Sequence, residues 1–231
     1  ATTPEIKLAK KWCKNAKNYC LNAKVMAQTD TAFFNEEVLP HTINYGYTDF
    51  SPMAKGQDTI YFASLRSDSI QTYKHGEDNI FSVGIYESVR ERDENTWSDP
   101  EQVDLLNSEY THSANPTIGP DNHIYYTKCY QDPKNLIICG INHREILPNG
   151  TLGKEKHLSG KINKHGYTNT QPSFGKAYKR KGRTKIWYDI MYFVSNRPGG
   201  AGGLDIWYSV YKDGKFSSPT NCGESINTIR D

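Results

Sequence analysis

Histidine and cysteine are the side chains of this sequence best suited to catalysis or metal binding, and neither has the spacing that such chemistry needs. The seven histidines stand at positions 41, 75, 112, 123, 143, 157 and 165. None lies in HExxH, which pairs two zinc ligands with a general base on one helix face, and no GxSxG elbow presents a nucleophile. His112, in Tyr110-Thr-His-Ser113, and His165, in Lys164-His-Gly166, hold comparable places in the chain. Both are expected near one rim of the fold, as polar loop residues rather than as a metal pair. The five cysteines, 13, 20, 129, 139 and 222, include no CxxC, so no zinc site is expected. Cys129 and Cys139 flank the turn Tyr130-Gln-Asp-Pro-Lys-Asn135, with apolar runs on both sides. A hairpin there brings them together, either as a cross-strand disulfide in an oxidising compartment or as two buried thiols. Cys13 and Cys20 lie about 10 Å apart along a predicted helix, too far to bridge each other. The odd total leaves at least one thiol unpaired within the chain.

A glycine-rich run is the third candidate. Asn196 and Arg197 end a predicted strand, and Asp205 opens the next. Between them, Gly199, Gly200, Gly202 and Gly203 permit positive φ and close backbone approach. Asp205 is placed to accept hydrogen bonds from the loop amides. A phosphate cradle would need a helix N-terminus behind it and the P-loop lysine, and both are missing. The loop is read as a structural turn or a partner contact. Arg197 is its residue best placed to touch a ligand, or else to pair with Asp205. No cofactor and no metal ion is expected.

The elements that must position these residues follow from composition. The 231 residues fit one domain, or one domain with a small appendage. Apolar residues make up 36%, enough for a packed core, and mean hydropathy is −0.75. No apolar run approaches the roughly 18 residues of a membrane span. The 28 basic and 26 acidic residues leave a net charge of +2. That balance, with no face-sized basic patch visible in the sequence, argues against a nucleic-acid partner. The 16 Tyr, 8 Phe and 4 Trp, with 18 Gly and 11 Pro, suit many short strands and tight turns. The fold class expected is all-β.

Residues 4–28 are the exception. Ile6, Ala9, Cys13, Ala16, Cys20, Ala23 and Met26 recur at helical spacing, with lysines around the rest. The small residues Ala9, Ala16 and Ala23 suit close packing against another helix. After residue 40 the chain repeats itself. Ile43-Asn44, Leu106-Asn107, Ile162-Asn163 and Ile226-Asn227 place asparagines 63, 56 and 64 residues apart. Eight or nine residues after each of the first three stands a proline: Pro52, Pro116 and Pro172. A Tyr-centred strand follows each proline, around Tyr61, Tyr125 and Tyr192, and a second apolar strand follows that. A period of about 60 with about four strands per unit is the signature of β-propeller blades. The expected organisation is a helix over 1–30 and a propeller segment over 40–231, with blades near 44–106, 107–162 and 163–226. Three blades do not close a ring, so the chain is expected to belong to a longer protein.

The stretch Val194-Ser-Asn-Arg-Pro-Gly-Gly-Ala-Gly-Gly-Leu-Asp-Ile-Trp-Tyr-Ser209 resembles the SNRPGG-x-GG-x-DIW motif of WD40-like (PD40) β-propellers in OmpA-family envelope lipoproteins of Bacteroidetes. The run at 43–66 is similar to their opening blade, and the helix at 4–28 to the end of the tetratricopeptide-like segment before it. The first two units carry Ser64-Leu-Arg66 and Thr127-Lys-Cys129 in place of the glycine-rich motif. The resemblance implies a non-enzymatic interaction scaffold in the periplasm, tied to the outer membrane through a lipid anchor upstream of Ala1. It also implies partners among envelope or type IX secretion-system proteins, and peptidoglycan binding through a domain outside this segment. Two other readings are a glycan- or peptidoglycan-recognising module and a propeller hydrolase. The turn Asp93-Glu-Asn-Thr-Trp97 is similar to the Asp box of sialidases but lacks its Ser-x-Asp-x-Gly frame.

Overall fold

The computed structural model describes residues 38–231, apart from 45, 67–70, 73–78, 81, 92–95, 109–110, 133–135 and 230–231, and a few positions before 38. The chain divides into two compact units, Ala1–Val38 and Leu39–Asp231. The helix expected over 4–28 falls in the first unit, and all but a few of its positions lie outside the described residues.

The second unit is all-β and antiparallel. Its first sheet contains β1 (Asp49–Lys55) and β2 (Thr59–Ser64). After a separate ribbon of β3 (Gln71–Thr72) and β4 (Asn79–Ile80), it continues with β5 (Gly84–Glu91), β6 (Thr96–Trp97) and β7 (Glu101–Gln102). The second sheet contains β8 (His112–Ile118), β9 (His123–Gln131), β10 (Ile137–Glu145) and β11 (Lys156–His157). The third contains β12 (Asn169–Lys181), β13 (Thr184–Ser195), β14 (Asp205–Lys212), β15 (Lys215–Phe216) and β16 (Thr220–Asn221). The innermost strands lie side by side, β1 against β8 and β8 against β12.

Adjacent side chains of a strand point to opposite faces, so each central strand serves two cores. Tyr61 packs with Ile85 and Leu106 against Ile124 and Tyr126 of the second sheet. Tyr125 packs with Ile141 and Ile162 against Met191, Phe193 and Trp207 of the third. Phe62, on the opposite face from Tyr61, packs with Ile43 and Tyr86. Each sheet thus sends its repeated tyrosine forward and the following aromatic backward. Tyr192 follows the rule but lies 38% exposed, its ring tilted 51° to that of Tyr208.

The repeated asparagine closes each sheet. Asn107 Oδ1 accepts from the Ile85 amide at 2.8 Å, while its Nδ2 donates to the Ile85 and Val103 carbonyls, each at 2.8 Å. Asn163 makes the same three bonds, to Ile141 N, Ile141 O and Leu158 O. Asn227 accepts from Ile206 N and donates to Ile206 O and Asn221 Oδ1. One amide side chain therefore bonds both backbone groups of a residue at the start of a third strand, whose carbonyl also accepts from the backbone amide of Val103, Leu158 or Cys222.

The repeated proline has its own device. Ser51, Asn115 and Gln171, each just before a proline, take φ of 52°, 54° and 53°. Each sits in a bulge where the register of the inner strand shifts. Left-handed backbone at a non-glycine residue costs of order 1–3 kcal/mol and persists only where the surroundings enforce it. Here each later bulge is tied to the sheet before it: Asn115 Nδ2 donates to Ser51 Oγ of the first bulge at 2.7 Å, and the Gln171 backbone amide donates to Thr127 Oγ1 on β9 at 2.9 Å.

Candidate functional site

Within the motif at 194–209, Arg197 and Asp205 are turned inward, while Asn196, Gly199, Gly200 and Gly203 are exposed. Arg197 is buried and donates to Ser195 Oγ (3.1 Å), the Lys161 carbonyl (3.1 Å), the Ile162 carbonyl and Asn169 Oδ1 (2.7 Å). Its guanidinium lies over Phe193 and Trp207, 4.8 and 5.4 Å from the ring centroids. Burial lowers its pKa from the usual guanidinium value, and the four acceptors hold it as a cation. Its partners do not include Asp205. Asn196 Oδ1 accepts from the Thr168 amide at 2.8 Å, and Asp205 Oδ2 accepts from the Gly202 amide at 3.3 Å. Gly199 takes positive φ (98°), whereas Gly200, Gly202 and Gly203 do not. Gly200 is needed for space, because a Cβ there would lie 1.6 Å from Asp205 Oδ2.

Sequence comparison had placed this motif in one unit only. Arg66 nevertheless repeats the role of Arg197 in the first sheet. It donates to Ser64 Oγ, the Thr42 carbonyl, the Ile43 carbonyl and Asp49, and lies over Phe62 and Tyr86. The shared signal is Ser-x-Arg after the Tyr-Phe pair, with Asp49 or Asn169 opposite the serine. The second sheet has Lys128 and Tyr130 at those positions and is held differently. There Cys129 and Cys139, directly opposed on β9 and β10, are joined by a disulfide. Beside it, Glu155 accepts from Tyr126 Oη and pairs with Lys128 at 3.1 Å and Arg144 at 3.8 Å. Burial alone would raise the Glu155 pKa, but the bonds from Tyr126 and Lys128 outweigh it and the net shift is downward. Cys13, Cys20 and Cys222 are free thiols, the first two exposed.

Three histidines that look scattered in the sequence converge between the second and third sheets. Asp121 and His123 stand at the β8–β9 turn, His143 on β10, His157 on β11 and Tyr211 on β14; with Tyr125 they line a cavity of about 520 Å³. Asp121 is its hub. Its Oδ2 accepts from Tyr125 Oη and Tyr211 Oη, each at 2.8 Å, and lies 3.2 Å from His123 Nδ1. Burial first, then these bonds to Asp121, raise the pKa of both phenols, Tyr211 to about 12. His143 stacks on Tyr125, centroids 5.1 Å apart and planes 10° from parallel. Burial, reinforced by His123, lowers the His143 pKa to about 4. Burial also lowers that of His157, whose Nδ1 lies 2.7 Å from Asn142 Oδ1 and therefore carries the proton. Two glycines make the room: a Cβ on Gly119 would lie 2.5 Å from the Tyr125 ring, and one on Gly140 2.6 Å from the His157 ring.

This lining presents imidazoles, phenols and one carboxylate already shared by three partners. Such groups hydrogen-bond a hydroxylated ligand and stack against its rings. Among the described residues, no hydroxyl or thiol is hydrogen-bonded to any of the three imidazoles, so no activated nucleophile is assembled there. No group of three potential metal ligands occurs among the described residues. His112 lies apart from the cavity, its Nδ1 accepting from the Val83 amide, and His165 is exposed. The three bulges line a second concavity of about 520 Å³, where Pro52, Pro116 and Pro172 meet.

No protein-family model and no curated protein matches the chain. Among solved structures, the chain is similar to the Hadza microbial sialidase Hz136, with a TM-score of 0.34 and 9% identity over 83% of this chain and 50% of that one. The chain spans about half the length of that protein. A likeness of this size says nothing about activity.

Proposed function

We propose that the three sheets are consecutive blades of a WD40-like β-propeller of the kind carried by OmpA-family envelope lipoproteins. In this reading the segment is a non-enzymatic periplasmic docking scaffold, associated with type IX secretion or outer-membrane partners. The observation that carries it is the destination of the repeated polar residues. The asparagine clamps close each sheet, the Ser-x-Arg anchors fasten a sheet to the connection before it, and the pre-proline bulges are tied to the neighbouring sheet, which makes a rigid frame and leaves the connecting loops to present variable contacts. The Cys129–Cys139 disulfide suits an oxidising compartment such as the periplasm. The forward face of the third sheet, with Tyr192 and Ile206 each 38% exposed, is the face a further blade would cover.

The test is a pull-down from cross-linked envelopes with the full-length protein as bait. Secretion-apparatus or outer-membrane proteins cross-linked to lysines within 40–231 are the expected result. Recovery of no protein partner overturns the scaffold reading. A second reading, glycan recognition, draws on the Asp121–His143 cavity. Titration with muropeptides separates the two, since a pure protein scaffold shows no saturable uptake.

A further inference from the structure

The longest strands of the molecule carry a feature that the charge balance of the sequence conceals. Residues 176–185 contain Lys176, Lys179, Arg180, Lys181, Arg183 and Lys185 and no acidic residue. The expectation that the cations form no patch is therefore corrected here: six of the 28 sit on one hairpin. No ion pair joins any of the six to another described residue. β14 pairs with β13 only from Asp189 onward, so beyond that point β12 and β13 form a ribbon with no third strand. At roughly 3.3 Å per residue, the six-residue arm from 176 to 181 reaches about 17 Å from the sheet.

The cross-strand register sorts this arm into two unlike faces. Lys176 opposes Asp189, Tyr178 opposes Trp187, and Arg180 opposes Lys185. Directly opposed residues share a face, and every second rung returns to it. One face therefore runs from a lysine–aspartate rung through an aromatic rung to a doubly cationic rung. Tyr178 and Trp187 lie 5.1 Å apart by ring centroids and are 42% and 57% exposed, with Lys185 Nζ 4.5 Å above the Tyr178 ring. The other face carries Lys179 and Lys181 around Ile186. At the foot of the ribbon Trp187 borders a cavity of about 500 Å³ that also contains Asp189, Tyr211, Lys212 and Asp213.

We infer that the aromatic face of this ribbon, with the cavity at its foot, binds an anionic polysaccharide: hydroxylated rings carrying a carboxylate at intervals. Trp187 and Tyr178 offer flat apolar surfaces for sugar rings. Arg180 and Lys185 take the carboxylate, while Asp189 and Asp213 accept hydrogen bonds from hydroxyls. These two aspartates decide against a nucleic acid, whose phosphate on every nucleotide would be brought against them. The disulfide, which suits an oxidising compartment, points the same way. The order of residues decides against insertion into a lipid surface, because charged rungs lie between the aromatic pair and the tip. The inference does not depend on the scaffold reading, since it concerns a different surface and a soluble probe.

The test is calorimetric titration of the whole chain with a hyaluronate oligomer of about ten sugars, which carries a carboxylate on every second ring, at low and at physiological salt. Saturable binding that weakens as salt rises is expected. Arg180→Gln/Lys185→Gln and Trp187→Ala should each cost about tenfold in affinity, in line with loss of a charge-assisted or stacking contact. The charge-matched pair Lys179→Gln/Lys181→Gln, on the opposite face, should stay within about twofold. All these positions are exposed strand residues, and circular dichroism verifies that each variant is folded. Equal losses from the two double variants would reduce the site to unspecific charge and overturn the inference. So would no saturable binding, or oligo-dT or anionic vesicles binding as tightly as the hyaluronate.

Discussion

At the scale of single residues, most of the repeated side chains turn out to be joints of the framework. Asn163 is 8% exposed and satisfies the Ile141 amide, the Ile141 carbonyl and the Leu158 carbonyl at once. Asn163→Ala leaves the buried Ile141 amide without its acceptor, while the Ile141 carbonyl keeps the Leu158 amide, and should cost about 2 kcal/mol, read as a lower urea midpoint. Asn163→Asp should be about as harmful, because a carboxylate oxygen would then face two carbonyl oxygens. His143 gives a pH dependence. Its pKa falls from 6.5 to about 4 on folding, through burial and then through His123, so between those values the unfolded chain binds the extra proton. Stability is therefore complete above pH 6.5 and is lost as the pH falls toward 4. Melting temperature should drop between pH 7.5 and 4.5, and the drop should be smaller in His143→Gln. An equal drop in the variant would assign the effect to other groups, among them His157 and His112.

At the scale of elements, the second sheet replaces an arginine anchor with a covalent one. The Cys129–Cys139 bond closes a loop of 10 residues and should contribute about 2–3 kcal/mol by restricting the unfolded chain. Dithiothreitol should lower the unfolding midpoint of the native protein and leave that of Cys129→Ser/Cys139→Ser unchanged. Strand placement was readable from the Tyr-centred apolar runs, and the glycine-rich turn from its composition. The histidine cavity was readable in principle. Pairing Cys129 with Cys139 fixes a register that puts His143 opposite Tyr125. Asp121 and Tyr211 arrive from different sheets, 90 residues apart, and nothing local relates them. The basic ribbon was hidden for another reason. A run such as Lys179-Arg-Lys-Gly-Arg183 has no apolar alternation, so it reads as a solvated loop although both strands pass through it.

At the scale of the whole molecule, the all-β class followed from composition, and the repeat placed the three sheets in order. The bulges did not show in the sequence. A proline reports that the residue before it avoids right-handed helical backbone, but not that Ser51, Asn115 and Gln171 take positive φ side by side. The clamp asparagines carry a last implication, about where one module stops. Asn107 closes the first sheet and Asn163 the second, yet each was read as the first residue of the next repeat. The period of the text and the period of the object are therefore out of phase. A copy made by duplicating from one Ile-Asn to the next would leave its own sheet unlatched and borrow a latch from its successor. Excision, insertion or shuffling of a single sheet should accordingly be cut after the asparagine, not before it.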